Sequence, residues 1–199
     1  MHPEWLIVSA VGLVIAGLSV AGARWPTLHP AECRVFHAVN GLPNPLYAVV
    51  WLPMQLGNLV VGTAAGLIAG FIARDLAVVV GVLVAMVMKL VTERILRREM
   101  AEYLSVRQRP GTSQVGAILR GRDVPSSGPS FPSGHVILVA GVACVVAPTI
   151  PAAWWWVPLL LIACVMVGRV FVGAHNPLDV TAGLGAGFLV GGLIATLVN

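Results

Sequence analysis

Two short stretches of an otherwise apolar chain carry side chains able to do chemistry: SFPSGH at 130–135 and GRVFVGAHNPLD at 168–179. In the first, Pro132, Ser133 and Gly134 directly precede an apolar run, so Ser133 falls near a helix N-cap. Free amides and the positive end of the helix dipole favour an anion at such a place. Gly134 lets backbone approach that anion with no side chain in between. His135, in the first turn, is placed to give or take a proton near neutral pH. An ordinary helix start with an interfacial histidine would leave the same residues.

In the second stretch Arg169 and His175 bracket the end of the next apolar run, and Asp179 follows four residues after His175. A carboxylate that accepts a hydrogen bond from one imidazole nitrogen fixes the tautomer and frees the other nitrogen as nucleophile or base. The Arg169 guanidinium offers a fork that matches phosphate oxygens. An Arg/Asp structural pair explains this stretch alone about as well. Beside an anion-binding helix start it becomes the weaker explanation, because ionisable groups at membrane depth are costly and mark function. No further His, Glu or Cys has the spacing of a metal site around the two histidines, so no metal ligand is assigned. Cys33, Cys144 and Cys164 read as small packing residues without a disulfide framework.

Both stretches need a scaffold that brings them to one level. Hydrophobic residues make up 58% and charged residues 10% of the 199 residues, with a mean hydropathy of +0.91. A soluble domain carries about a quarter charged residues. A bilayer crossing needs roughly twenty apolar residues, and the runs here are continuous rather than alternating, which argues against strands. The expectation is one all-α membrane domain over residues 1–199, a bundle of six spans near 5–23, 46–73, 76–93, 135–149, 154–172 and 178–198.

The first span lacks a basic leader, so it reads as a retained helix. Pro53 and several glycines should kink the second, and the third should continue as a polar helix through Glu93–Tyr103. The Gly-, Ser- and Pro-rich stretch 110–132 reads as a loop over the site. Pro177 stands where a helix best tolerates proline, and Trp154–Trp156 suit the headgroup zone.

Six spans put both ends and two connections on one face, where Arg74 is the one basic residue. Arg24, Arg34, the arginines from Arg94 to Arg122, and Arg169 lie towards the other. Positive connections stay cytoplasmic, which points to a cytoplasmic site face in a multi-pass protein of the cell membrane. An anion site would gather the same arginines. In the loop, Arg120 and Arg122 either shape headgroup access or touch anionic lipid.

RP at 109–110, PSGH at 132–135 and RVFVGAH…D at 169–179 resemble, in order and spacing, the three signature motifs of the type-2 phosphatidic acid phosphatase superfamily, in its integral membrane branch. The resemblance covers roughly spans two to six. It implies hydrolysis of a lipid or isoprenoid phosphate, monoester or diphosphate, with no metal and no cofactor. Carried over, His175 would attack phosphorus and become a phosphohistidine, and Asp179 would orient it and balance its charge. His135 would protonate the leaving oxygen and later activate water. Arg109, Arg169, Ser133 and the Gly134 amide would hold the phosphoryl oxygens. Phosphoryl transfer asks for in-line attack within dense positive charge, which these groups supply without magnesium. Its partners would be the lipid phosphate and surrounding lipids, with no nucleic acid; a homo-oligomer is left open.

The first motif departs from the family pattern of lysine, six residues, then Arg-Pro, because Glu102 stands at the lysine position. A carboxylate facing a phosphate repels it by roughly a few kcal/mol at intermediate dielectric. Either Glu102 pairs with Arg98 one turn earlier, or Arg107 or Arg98 reaches into the site, or Glu102 sits on a solvated helix face. Lys89, the only lysine, belongs to the third span, twenty residues before Arg109. A second expectation is a protein that binds a lipid phosphate for translocation or docking, with catalysis weakened or lost. Vanadate-dependent haloperoxidase chemistry uses the same motif set, but such an enzyme has no need of a six-span body.

Overall fold

The computed structural model describes residues 3–25, 27–103, 107–121 and 124–198, and every regular element among them is a helix. Four stretches are long and apolar enough to cross a membrane: α1 (Pro3–Ala23), α5 (Leu76–Glu99), the run Ala152–Phe171, and α9 (Pro177–Val198). Residues such as Leu18 of α1, Ile72, and Val80 of α5 turn apolar side chains outward, as a bilayer-facing surface must. α3 (Leu46–Met54) and α4 (Leu59–Ala73) make a fifth crossing only when taken as one broken span, since they meet at 73°.

The break carries the expected kink within 46–73 further, to two separate helices, and its cause is local. Pro53 cannot donate a backbone hydrogen bond in α3. Asn58 starts α4 afresh, its side chain accepting from the amides of Val60 (3.0 Å) and Val61 (3.3 Å). At the other end of α4, Arg74 adopts a left-handed conformation and Asp75 caps α5 through Ala77 N and Val78 N. α7 (Gly134–Val146) has only 13 residues and falls short of crossing length. Among the described residues, four to five crossing-length helices are therefore observed where six were expected.

Two further helices serve the site end. α2 (Pro30–Asn40) stands in the first connection, where no helix was foreseen; His29 caps it, Pro30 opens it and Phe36 is fully buried. α6 (Pro110–Ser113) is a single turn inside the expected loop. α8 (Trp156–Phe171) follows a short 3-10 turn at Ala152–Trp154.

α9 is the central post. Its small residues let backbones touch on two sides: a Cβ at Gly185 would meet Gly12 O at 2.8 Å on α1, and one at Gly191 would meet Gly141 Cα at 2.7 Å on α7. Such seams are how helices associate where no hydrophobic effect separates helix from lipid. Phe36 of α2 packs with Val136, Val165 and Val180, which ties α2 to α7, α8 and α9 just beneath the site. Trp154, Trp155 and Trp156 lie exposed at the opposite end, with Trp155 6.3 Å from Trp5.

Candidate active site

The turn between α8 and α9 carries His175. Gly173, at φ +77°, reverses the chain, and the amides of Ala174 and His175 return to the Arg169 carbonyl. The His175 ring is 3% exposed, and its Nδ1 lies 2.8 Å from the Ser130 carbonyl oxygen. A carbonyl only accepts, so Nδ1 carries the proton and Nε2 the lone pair. Asp179 Oδ2 stands 3.9 Å from Nδ1, beyond hydrogen-bond range. The expected His175–Asp179 hydrogen bond is thus replaced by His175–Ser130. Asp179 instead accepts from the Asn176 amide (2.7 Å) and from Arg107 (2.7 Å), holding the turn rather than the ring.

Ser130 belongs to a clasp between the two ends of the loop. Ser130 N donates to Arg107 O (3.0 Å) and Arg109 N to Gly128 O (2.9 Å). Asn176 joins it, donating to Gln108 O and accepting from Gln114 (2.8 Å). The clasp delivers Arg109, whose guanidinium donates to the Ala174 carbonyl (2.9 Å) beside His175. Burial lowers the pKa of Arg109, as does the charge of Arg97, while Asp179 and Glu93 oppose the shift. His175 is pushed well below its ordinary 6.5 by burial, then by Arg169, Arg109 and His135, with the Ser130 carbonyl pulling the other way. Its imidazole is neutral at neutral pH, and the four groups lie within electrostatic reach of one another.

Ser133 takes the N-cap position of α7 without using its side chain as a cap. Its Oγ is fully buried and makes no hydrogen bond among the described residues, while its amide donates to Asp179 O (2.9 Å). An unmatched buried hydroxyl beside open helix amides suits an oxyanion. His135 and Arg169, with Gln55 and Asn58 from the break in α3–α4, line a polar cavity of about 30 Å³, the room of about one water. A Cβ at Gly57 would lie 2.6 Å from that of His135, so the break packs directly on this histidine.

Several residues were not foreseen. Lys89, Glu93 and Arg97 share one face of α5, with Glu93 2.6 Å from each cation. A Cβ at Gly134 would collide with the Glu93 carboxylate and come within 2.9 Å of Lys89 Cε. The lysine set aside as part of the third span therefore reaches the start of α7. Its signal was there to read: three charges at i, i+4 and i+8 near the end of an apolar run. Glu32, Ser130 and Gly57 had no comparable signal.

The suggested stand-ins for the lysine do not serve that way. Arg98 and Glu102 are exposed. Arg107 is buried, and its fork is occupied by Glu32 (2.8 and 2.7 Å) and Asp179. Burial opposes the charge on Arg107, but Asp179 and Glu32 more than reverse this and raise its pKa. Arg120, at 9% exposure, is a staple: it donates to Asn44, to the carbonyls of Asn40, Leu42 and Phe171, and lies over the Phe171 ring. Its guanidinium is thus held by protein groups, and Arg120 also lines the polar cavity with His135 and Arg169. Arg122 lies outside the described residues. No group of three His, Cys, Asp or Glu among the described residues could hold a metal ion.

Fold and site together define an integral membrane helical protein with a buried cluster of histidine, arginine and serine side chains at one end of its bundle. A model of the PAP2 superfamily matches residues 76–199, and the chain belongs to that superfamily. Two solved structures share the fold at 22% identity. One is LpxE from Aquifex aeolicus (TM-score 0.64, over 82% of this chain and 93% of that one). The other is a transmembrane PAP2-type phosphatidylglycerolphosphate phosphatase from Bacillus subtilis (TM-score 0.70, over 95% and 94%). An undecaprenyl-diphosphatase from Sulfolobus acidocaldarius is 41% identical over 54 residues, 27% of this chain and about a quarter (26%) of that relative's length.

Proposed function

We propose that this protein is a membrane lipid phosphate phosphatase working through a phosphohistidine at His175. The observation that carries the reading is the tautomer of His175: with Nδ1–H on the Ser130 carbonyl, a neutral Nε2 is left for attack among Arg109, Arg169 and His135. Nε2 attacks phosphorus, so the N–P bond forms as the P–O bond breaks, and His135 gives its proton to the leaving oxygen. Water then attacks phosphorus while losing a proton to His135, the N–P bond breaks, and inorganic phosphate departs. Arg109, Arg169, the Ser133 hydroxyl and the Gly134 amide hold the equatorial oxygens. Lys89 and Arg97 bring the positive charge that the family pattern places where Glu102 stands. Metal is not needed for this charge balance.

An isoprenoid phosphate or diphosphate is the favoured substrate class, given the partial match to an undecaprenyl-diphosphatase; glycerolipid phosphates belong to the same test. In this reading α3–α4 and α7 complete six crossings, and the arginine-rich site end faces the cytoplasm from the cell membrane.

The test is phosphate release by purified protein from a panel of prenyl and glycerolipid phosphates, with and without EDTA and vanadate. Turnover lost in His175→Ala, blocked by vanadate and indifferent to EDTA is expected. Binding without turnover would instead support a lipid-phosphate carrier or docking protein.

A further inference from the structure

We infer that Glu32, on α2, is a positioning residue for the His175 nucleophile, acting through a buried chain of alternating charge, Glu32–Arg107–Asp179. The inference rests on the phosphohistidine reading. α2 lies outside all three motifs, and the family match begins only at residue 76.

The three groups form one unit. Arg107 Nη1 donates to Glu32 Oε2 (2.8 Å), and Nη2 donates to both Glu32 Oε1 and Asp179 Oδ1 (2.7 Å each). Glu32 Oε1 also accepts from the Leu178 amide (3.0 Å) in the first turn of α9. Glu32, Arg107 and Asp179 are 7%, 1% and 0% exposed, so their charges are weakly screened. The unit grips the nucleophile twice. Asp179 fixes the Asn176 amide, one residue beyond His175, and the Arg107 carbonyl receives Ser130 N, whose own carbonyl holds Nδ1.

Its charge matters as much as its shape. Two carboxylates and one guanidinium leave one excess negative charge, with Asp179 Oδ2 3.9 Å from Nδ1, while Arg109 and Arg169 bring positive charge to the same ring. When Nε2 forms its bond to phosphorus, the ring becomes cationic while Nδ1 keeps its proton towards Ser130. The excess negative charge is placed to meet that cation. Without the Glu32 charge, Arg107 and Asp179 cancel and nothing remains for the ring.

Glu32→Gln keeps the side-chain shape and removes the charge. Its kcat should fall about tenfold or more, with KM within about twofold, and Glu32→Asp should recover most of the loss. A tether that merely holds α2 on α9 would lower the melting temperature and leave the kcat of the folded fraction unchanged. A second readout needs no lipid substrate: carbethoxylation of His175 by diethyl pyrocarbonate, followed by mass spectrometry with His135 as internal reference. That reaction also builds positive charge on the ring, so Glu32→Gln should slow it several-fold at His175 relative to His135.

Equal His175 rates in variant and native protein, with kcat unchanged, would overturn the inference. Native protein without turnover would remove the phosphatase reading and leave the carbethoxylation rates to decide this one. If Glu32→Gln does not fold, Arg107→Lys, which keeps the charge but loses the fork, takes the same two measurements: a tenfold fall supports the chain and native rates refute it.

Discussion

At the scale of single residues, the proposed nucleophile is oriented by a backbone carbonyl, and its acidic neighbour stands beyond hydrogen-bond range. The four-residue spacing from His175 to Asp179 was legible in the sequence. The Ser130 carbonyl was not, because nothing in a side-chain pattern marks which peptide oxygen a ring will meet. Asp179→Asn can keep the Asn176 hydrogen bond but removes the charge and sets an NH2 group against Arg107; turnover should fall about a hundredfold or more, and the melting temperature should fall as well. The depressed pKa of His175 also has a sign that can be tested. The attacking form is the neutral one, present above the folded pKa, and that pKa lies well below 6.5. The acidic limb of kcat/KM should therefore fall well below pH 6.5, and a limb at 6.5 or higher in the free enzyme's pH profile would contradict this.

At the scale of elements, two helices changed the account of the first motif. α5 carries Lys89 and Glu93, the latter paired with Arg97, to the start of α7, whereas Glu102 stays on the outside. Reading the motif by strict spacing missed this, because α5 runs unbroken to Glu99 and the chain then spends further residues returning to Arg109. Lys89→Ala should lower kcat/KM about tenfold, a loss of about 1.4 kcal/mol in transition-state binding. Glu102→Ala should leave it within about twofold, as expected for an exposed position. Initial-rate series on the two variants separate them directly. α2 was missed for a plainer reason: eleven residues with mixed polarity give no crossing-length signal, and its buried face becomes meaningful only against α7, α8 and α9.

At the scale of the whole molecule, composition and long apolar runs announced a helical membrane body. With Pro53 they announced a bend in the second run, but not its 73° angle or the fresh helix start at Asn58, which depend on where that capping residue falls within an apolar stretch. The α1–α9 seam should be intolerant of bulk: Gly185→Val should cost roughly 1–3 kcal/mol, read as a lowered melting temperature in detergent. The shortness of α7 has a different outcome. Thirteen residues and the 3-10 turn Ala147–Thr149 that follows rise about 25 Å, against a hydrocarbon core of about 30 Å, so a bilayer of that thickness must pinch around α7 to bring His135 to the headgroups. Reconstituted into liposomes of graded acyl length, the protein should turn over fastest in thin bilayers and slow progressively as the lipids lengthen. The lipid around it would then act as a rheostat on the chemistry.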